Sequence, residues 1–418
     1  VTQPRPGPTA APPAPPAGAS SGALWSAFAL VHVWTAVVGV GLLRSAAFHD
    51  VELYRLWVST GVLVGHWPVL DADWVYPVGA LLPMLALLGW AGAAVPYALA
   101  WAGLVTALDA AAVVVLLRTT PAGPAGAWWW IAATLALGPV AIGRLDGLVA
   151  PLTVLALAVA ARRPAVASAL LTAGAWIKVA PGGALLALAA AARRPLRRVL
   201  VPAAVLSTAV VVLALALGAG PRVASFLGAQ GTRGLQVEAV AATPYSLARL
   251  WDPGITAELN REINTFEITG VDTSVVTTAL DVALLGAVAA LTWLAARARR
   301  VRAAGQGGAE VDVTVLVLAS FALALALIVF NKVGSPQYLS WLLPPVTVAL
   351  AVGGWRDPWR YPAVVLLVAA ALTQWVFPLE YLDFIWAVPH VVVVEAIRNV
   401  LLVALLGWAT VALWRTSR

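Results

Sequence analysis

Apolar runs recur from Leu24 to Leu413, at 24–43, 78–117, 126–142, 147–161, 165–177 and 180–192, and again at 199–218, 275–296, 311–330, 338–353, 361–377 and 391–414. A helix needs about 20 apolar residues to cross hydrocarbon. At 61% hydrophobic residues the chain carries more apolar surface than one soluble core can hide. The runs are too long for barrel strands, and only a helix satisfies its backbone groups within its own segment. The expected fold is therefore an all-α polytopic membrane protein of about eleven to thirteen transmembrane helices, with juxtamembrane helices on the outer face.

Charge divides the breaks between two faces. Arginines gather beside the runs at Arg162–Arg163, Arg193–Arg198, Arg297–Arg302, Arg356–Arg360 and Arg415. Short loops rich in Lys and Arg mark the cytoplasmic side. That placement, rather than nucleic-acid binding, accounts for the formal net charge of +7. Residues 1–22 are rich in Pro, Ala, Gly and Ser without an apolar run, so a disordered cytoplasmic tail is expected there rather than a signal peptide. Residues 23–418 then form a single transmembrane domain in the plasma membrane, with extracytoplasmic loops at 44–76 and 219–274. Gly143–Gly147, Lys178, Asn331–Tyr338 and Pro378–His390 fall on the same outer side. Between residues 77 and 118 an odd number of crossings is required although the run is long enough for two. A re-entrant or tilted piece near Tyr76–Pro83 or near Pro96 is expected to resolve this.

Carboxylates are scarce, yet Asp50, Glu52, Asp71 and Asp73 cluster in the first outer loop. Asp50 and Tyr54 are spaced i, i+4, and Glu52 and Arg55 i, i+3, so a short surface helix would carry two adjacent polar ridges. A carboxylate at the mouth of a membrane cavity suits a general base. The plain alternative is a solvated loop whose acids pair with Arg44 and Arg55. Asp71 and Asp73 read first as helix-start residues. There are no cysteines, and His32, His49, His66 and His390 form no pair at metal-ligand spacing. No metal or cofactor is therefore expected, although His49 beside Asp50 leaves a carboxylate-bound divalent ion open.

Runs between 126 and 192 are short for a full span and turn at G-R-L-D-G and W-I-K-V-A-P. Such turns would sink below the membrane surface and place Arg144, Asp146 and Lys178 on a cavity wall. The chain's two lysines, Lys178 and Lys332, both stand at outer ends of runs. A compact ammonium suits a phosphate, so these two with Arg144 are the expected phosphate contacts, against the alternative that each lysine pairs with a nearby acid. Arg233, Gln236 and Glu238 in the large outer loop offer donors and acceptors of the kind that grip sugar hydroxyls. An ordinary surface helix would carry similar residues. An acidic run with Glu258, Glu262 and Glu267 follows. In N-K-V-G-S-P-Q-Y-L-S-W, Gln337 and Tyr338 sit beside helix-breaking Gly and Pro. Asp109, Asp281 and Glu395 read as acids near helix ends or paired inside the bundle.

The pieces D-V-E-L-Y, V-Y-P-V-G-A-L-L-P, G-R-L-D-G-L-V-A-P, A-W-I-K-V-A-P, R-G-L-Q-V-E-A and N-K-V-G-S-P-Q-Y-L-S-W-L-L-P occur in this order from about residue 44 to 345. Together they resemble glycosyltransferase family 87, within the C superfamily of integral membrane glycosyltransferases. The resemblance implies that superfamily's fold and an inverting transfer of a hexose, mannose first. The donor is a polyprenyl-phosphate-linked sugar, and the acceptor a glycolipid or cell-envelope glycan on the outer face. It assigns Asp50 as the general base and Arg144, Lys178 and Lys332 to the donor phosphate. Glu52, Tyr54, Tyr76, Asp146, Arg233, Gln236, Glu238, Gln337 and Tyr338 are then substrate-binding candidates. Val78 stands where the family often has a second proline, and G-R-L-D-G departs from a Gly-Gln-Asn-type turn. An arabinofuranosyl donor fits the same residues. The runner-up of another class is a lipid or solute transporter, for which paired inverted repeats would be the mark, and no such repeat is evident.

Overall fold

The computed structural model describes residues 17–228, 233–261, 264–303, 309–356 and 358–418. Residues 1–16, most of the expected tail, and Glu262 of the acidic run lie outside the described residues. Helix α1 (Ala17–Val37) begins within the last residues of that expected tail and runs on through a π-helical turn to Leu42. Then follow α2 (His49–Val64), α3 (Leu81–Leu85), α4 (Ala94–Thr119), α5 (Gly123–Leu137), α6 (Asp146–Val159), α7 (Pro164–Ile177), α8 (Pro181–Ala191) and α9 (Val201–Ala216). The large loop holds α10 (Ser225–Gly228), α11 (Thr243–Ala248) and the strands β1 (Thr256–Asn260) and β2 (Thr265–Thr269). The chain ends with α12 (Ser274–Arg302), α13 (Val313–Val329), α14 (Leu343–Gly353), α15 (Arg360–Gln374), α16 (Tyr381–Ile385) and α17 (Pro389–Thr416).

Six helical stretches among the described residues are long and apolar enough to cross a membrane: Ser21–Leu42, Ala94–Thr119, Leu196–Ala216, Ser274–Arg302, Arg360–Leu379 and Pro389–Thr416. The protein is thus a multi-pass, all-α membrane protein. Helix α13 is apolar on every side and is buried along nearly its whole length. It is the pillar of the largest apolar cluster, packed by α8, α12, α14 and α17. Small side chains let the neighbouring helices approach, with Ala112, Ala127, Ala133, Ala156, Ala167 and Ala187 all buried.

Between 77 and 118 the backbone is broken, and only Ala94–Thr119 is long and apolar enough to cross a membrane. Val78–Ala80 and Leu88–Trp90 are 3-10 turns around the short α3, and only α4 is a continuous helix. Pro77 and Pro83 remove backbone donors there and keep the segment from propagating as one helix. Helices α6 and α7 have 14 residues each and α8 has 11. They rise about 21 Å and 17 Å, well short of about 30 Å of hydrocarbon. The turns at G-R-L-D-G and W-I-K-V-A-P therefore join helices too short to span the hydrocarbon alone.

Three apolar clusters make up the buried interior among the described residues. The first is the α13 core. The second packs α2 and the broken segment against α4, with Phe48, Tyr54, Met84, Tyr97 and Trp101 buried. The third joins Leu235, Val237 and Ile268 of the large loop to Val376, Phe384, Val391 and Val392. In that loop the acidic run is not helical. Glu258 and Glu267 face each other across the antiparallel pair of β1 and β2, where T-A-E-L-N and T-F-E-I-T supply alternating and β-branched residues.

Two charged groups within spans are paired, as the sequence suggested. His32 Nε2 lies 2.9 Å from Asp109 Oδ2, and His32 Nδ1 lies 2.9 Å from the Phe28 carbonyl. Glu395 and Arg398, one turn apart on α17 and both buried, form a two-bond pair.

Candidate functional site

The turn between α5 and α6 is the centre of the polar end. Gly143 allows it to lie against the start of α2, because a Cβ there would stand 2.6 Å from the Ala47 carbonyl oxygen. That approach brings Arg144 to α2. Arg144 Nη2 donates to the Ala46 carbonyl at 3.0 Å, and Nη1 lies 3.0 Å from Asp50 Oδ1. The Nη1 contact is a charge contact without hydrogen-bond alignment, so the Nη1 and Nε donors of a side chain only 5% exposed are not hydrogen-bonded. Unfilled donors on a buried cation favour an anion beside them.

Asp50 and Tyr54 fall on one ridge of α2, as their spacing dictates. The Tyr54 hydroxyl accepts from the Leu145 N–H at 3.2 Å, so both ridge residues hold the same turn. The other ridge, Glu52 and Arg55, turns away. Arg55 bonds Glu52 through Nε at 3.1 Å and the Ala91 carbonyl through Nη1 at 2.9 Å. The Arg55 hydrogen bond holds Glu52 below the usual carboxylate range. Asp71 accepts from the Trp67 N–H at 2.7 Å and is a loop residue.

Asp146, in the first turn of α6, is 1% exposed. It accepts from Trp341 Nε1 at 2.6 Å, and its other oxygen lies 3.3 Å from Lys178 Nζ. Lys178 stands at the break between α7 and α8, where extended backbone ends one helix and Pro181 begins the next. Its ammonium lies 5.0 Å from the centre of the Tyr76 ring and 5.8 Å from that of Tyr338. Tyr338 stacks on Trp341, with centroids 4.1 Å apart. Tyr54, Trp57, Trp74 and Tyr76 form a contiguous ring cluster beside them. Burial pushes the Tyr54, Tyr76 and Tyr338 phenols up, so these hydroxyls stay neutral donors.

The far wall comes from the large loop and from the last two helices. Gly334 passes so close that a Cβ would stand 2.1 Å from the Glu238 carbonyl carbon. Tyr381 on α16, Arg144, Glu395 and Arg398 lie within electrostatic reach of the Glu238 carboxyl. Burial first, then the Glu395 charge, pushes Glu238 up to about 8. The Arg144 guanidinium lies 5.7 Å from the centre of the Phe377 ring. Arg233 is within electrostatic reach of Tyr338.

Other candidates have structural attachments. Gln236 donates through its N–H to the Lys332 carbonyl at 3.0 Å and through Nε2 to Thr265 at 3.1 Å, which commits its side chain to the hairpin. Gln337 is buried in the turn Pro336–Trp341. Lys332 Nζ lies 2.9 Å from Asp281 on α12, so here the pairing alternative describes the observed contact. Asn264, immediately before β2, contacts His49 Nε2 at 3.3 Å. No group of three His, Asp or Glu poised to hold a metal occurs among the described residues. Sequence reasoning missed Trp341, Phe377, Tyr381 and Arg398. Only Trp341 left a signal, inside the N-K-V-G-S-P-Q-Y-L-S-W segment.

No family model matches the chain, and neither a characterised protein nor a solved structure gives a significant match.

Proposed function

We propose that the protein is a membrane glycosyltransferase, moving a hexose, mannose first, from a polyprenyl-phosphate donor to a glycolipid or cell-envelope glycan acceptor. The observation that carries this reading is the Asp50–Arg144 contact, a partly exposed carboxylate beside a buried cation with unfilled donors. Asp50 takes the proton of an acceptor hydroxyl as that oxygen attacks the anomeric carbon. The bond from that carbon to the phosphate oxygen breaks, and the electron pair leaves with the phosphate. Arg144 and Lys178 stabilise the charge that develops, and attack opposite the leaving group inverts the centre.

The proposed arrangement is the fold of the C superfamily of membrane glycosyltransferases. Helices α1, α4, α5, α6, α7, α8, α9, α12, α13, α14, α15 and α17 make twelve crossings. Alternating them brings every arginine-rich break to the cytoplasmic face and the site to the outer face of the plasma membrane. Lys332, held by Asp281, is the least supported phosphate contact.

Purified protein in lipid, given radiolabelled polyprenyl-phosphate-mannose and membrane lipids, is expected to form labelled glycolipid. Asp50→Asn should lower the rate by about a thousandfold while still binding donor. Full activity of that variant would remove Asp50 from the role. If wild-type protein transfers neither mannose nor, from the matching donor, arabinofuranose, the transferase reading fails.

A further inference from the structure

Resting on the transferase reading, we propose that Trp341 is a positioning residue for the donor phosphate. Its indole N–H occupies one oxygen of Asp146, so that the other holds Lys178 by charge alone and leaves the ammonium's donors to the phosphate. Trp341 Nε1 donates to Asp146 Oδ1 at 2.6 Å. Asp146 Oδ2 lies 3.3 Å from Lys178 Nζ, yet it accepts no aligned hydrogen bond. The carboxylate is 1% exposed, so water does not compete for it. Without the indole, both oxygens would face an ammonium that has three N–H donors to give. Such a pair would draw Lys178 toward the start of α6 and fill the donors that an anionic ligand needs.

One short turn supplies two of the constraints on Lys178. Pro336–Trp341 carries Trp341 and also Tyr338, which stacks on it with centroids 4.1 Å apart. Lys178 Nζ lies 5.8 Å from the centre of the Tyr338 ring, and Tyr76 adds a second ring at 5.0 Å. The turn after Tyr76 is pressed onto the end of α7, since a Cβ on Gly79 would stand 2.6 Å from the Trp176 carbonyl oxygen. Ring faces attract a cation without filling its donors as an oxygen does. The Lys178 side chain is still 14% exposed, so a ligand can reach it. Confined by charge and by rings, the ammonium is poised to take a phosphate oxygen as negative charge builds on it.

The test is binding of radiolabelled polyprenyl-phosphate-mannose to full-length protein in nanodiscs, measured for wild type, Trp341→Phe, Lys178→Met and the double variant. Trp341→Phe keeps an aromatic ring beside Tyr338 and removes the N–H. Its Kd should rise about tenfold in the wild-type background and change by less than about twofold in the Lys178→Met background, where nothing is left to position. Unlabelled polyprenol, which lacks the phosphate, should compete equally in wild type and Trp341→Phe. If Trp341→Phe does not fold, a benzothiophene side chain at 341, with sulfur in place of the indole N–H, takes its place in the same comparison. An equal loss in both backgrounds, an equal loss of polyprenol affinity, or no loss at all would overturn the proposal while leaving the transferase reading intact. The expected pattern without transfer of any sugar would overturn the transferase reading and retain the role of Trp341. Failure of wild type to bind donor would overturn both.

Discussion

The two ends of the helix bundle use arginine in opposite ways. At one end Arg162, Arg163, Arg194, Arg197 and Arg198 are exposed. The contacts there fasten loops, as where Arg162 donates to the Thr119 carbonyl at 3.0 Å and Arg302 to Asp312 at 2.7 Å. At the other end Arg144 is buried, with its Nη1 3.0 Å from Asp50 Oδ1. An exposed ion pair contributes about 0–1 kcal/mol and can be lost at little cost. A buried charge deprived of its partner costs about 3–5 kcal/mol. Charge that is expensive to keep at one end, and cheap at the other, distinguishes a built site from a sorting signal for topology.

The largest test of that contrast is a pair of neutralisations. Arg144→Gln should reduce sugar transfer by roughly a thousandfold, while Arg162→Gln should change it by less than about twofold in the same radiolabel assay. Similar losses would mean that the two ends do not differ in kind. Next in size is Asp146→Ala, which strands Lys178 beside the aromatic rings. Denaturant unfolding in detergent should report a loss of about 3 kcal/mol, and a loss below about 1 kcal/mol would place that pair with the exposed ones. Gly334→Ala forces a methyl against the Glu238 backbone. It should destabilise by about 1–3 kcal/mol and weaken donor binding. Unchanged unfolding would show that the loop yields there.

The smallest expected effect sharpens the contrast through pH. Glu238 holds a proton in the folded protein up to about 8, whereas an unfolded glutamate releases it near 4.5. Between those values the folded state binds more protons, so this group's contribution to stability falls as pH rises. The apparent Tm should decline across that window, and Glu238→Gln should flatten the decline. An equal slope in the variant would assign the effect to other groups.

Much of the bundle is legible in the sequence because its grammar is local. Arginine-rich breaks bound the apolar runs, and Pro164, Pro181 and Pro389 mark helix starts. The i, i+4 spacing of Asp50 and Tyr54 likewise foretells that both would grip one neighbour. What that neighbour is does not follow from spacing. Asp146 and Trp341 are 195 positions apart, and their bond depends on α6 beginning beside the turn Pro336–Trp341. Glu395 read as an acid near a helix end or paired inside the bundle, and its partner Arg398 stands one turn along the same helix. The hairpin escaped notice because two short strands leave a weak pattern amid charged residues. Lys332 resembled Lys178 in position, yet Asp281 on an adjacent span claims it.

The brevity of α6, α7 and α8 has an electrical consequence. A membrane potential that falls across a column of protein about 21 Å tall makes a steeper field than one falling across about 30 Å of hydrocarbon. On the transferase reading, a donor phosphate bound at the turn Gly143–Gly147 would cross part of that drop, on a scale of about 2.3 kcal/mol per charge for each 100 mV crossed in full. Affinity for an anionic donor then carries a voltage term in an energised membrane that a detergent solution lacks, and its sign reports which side of the membrane the turns face.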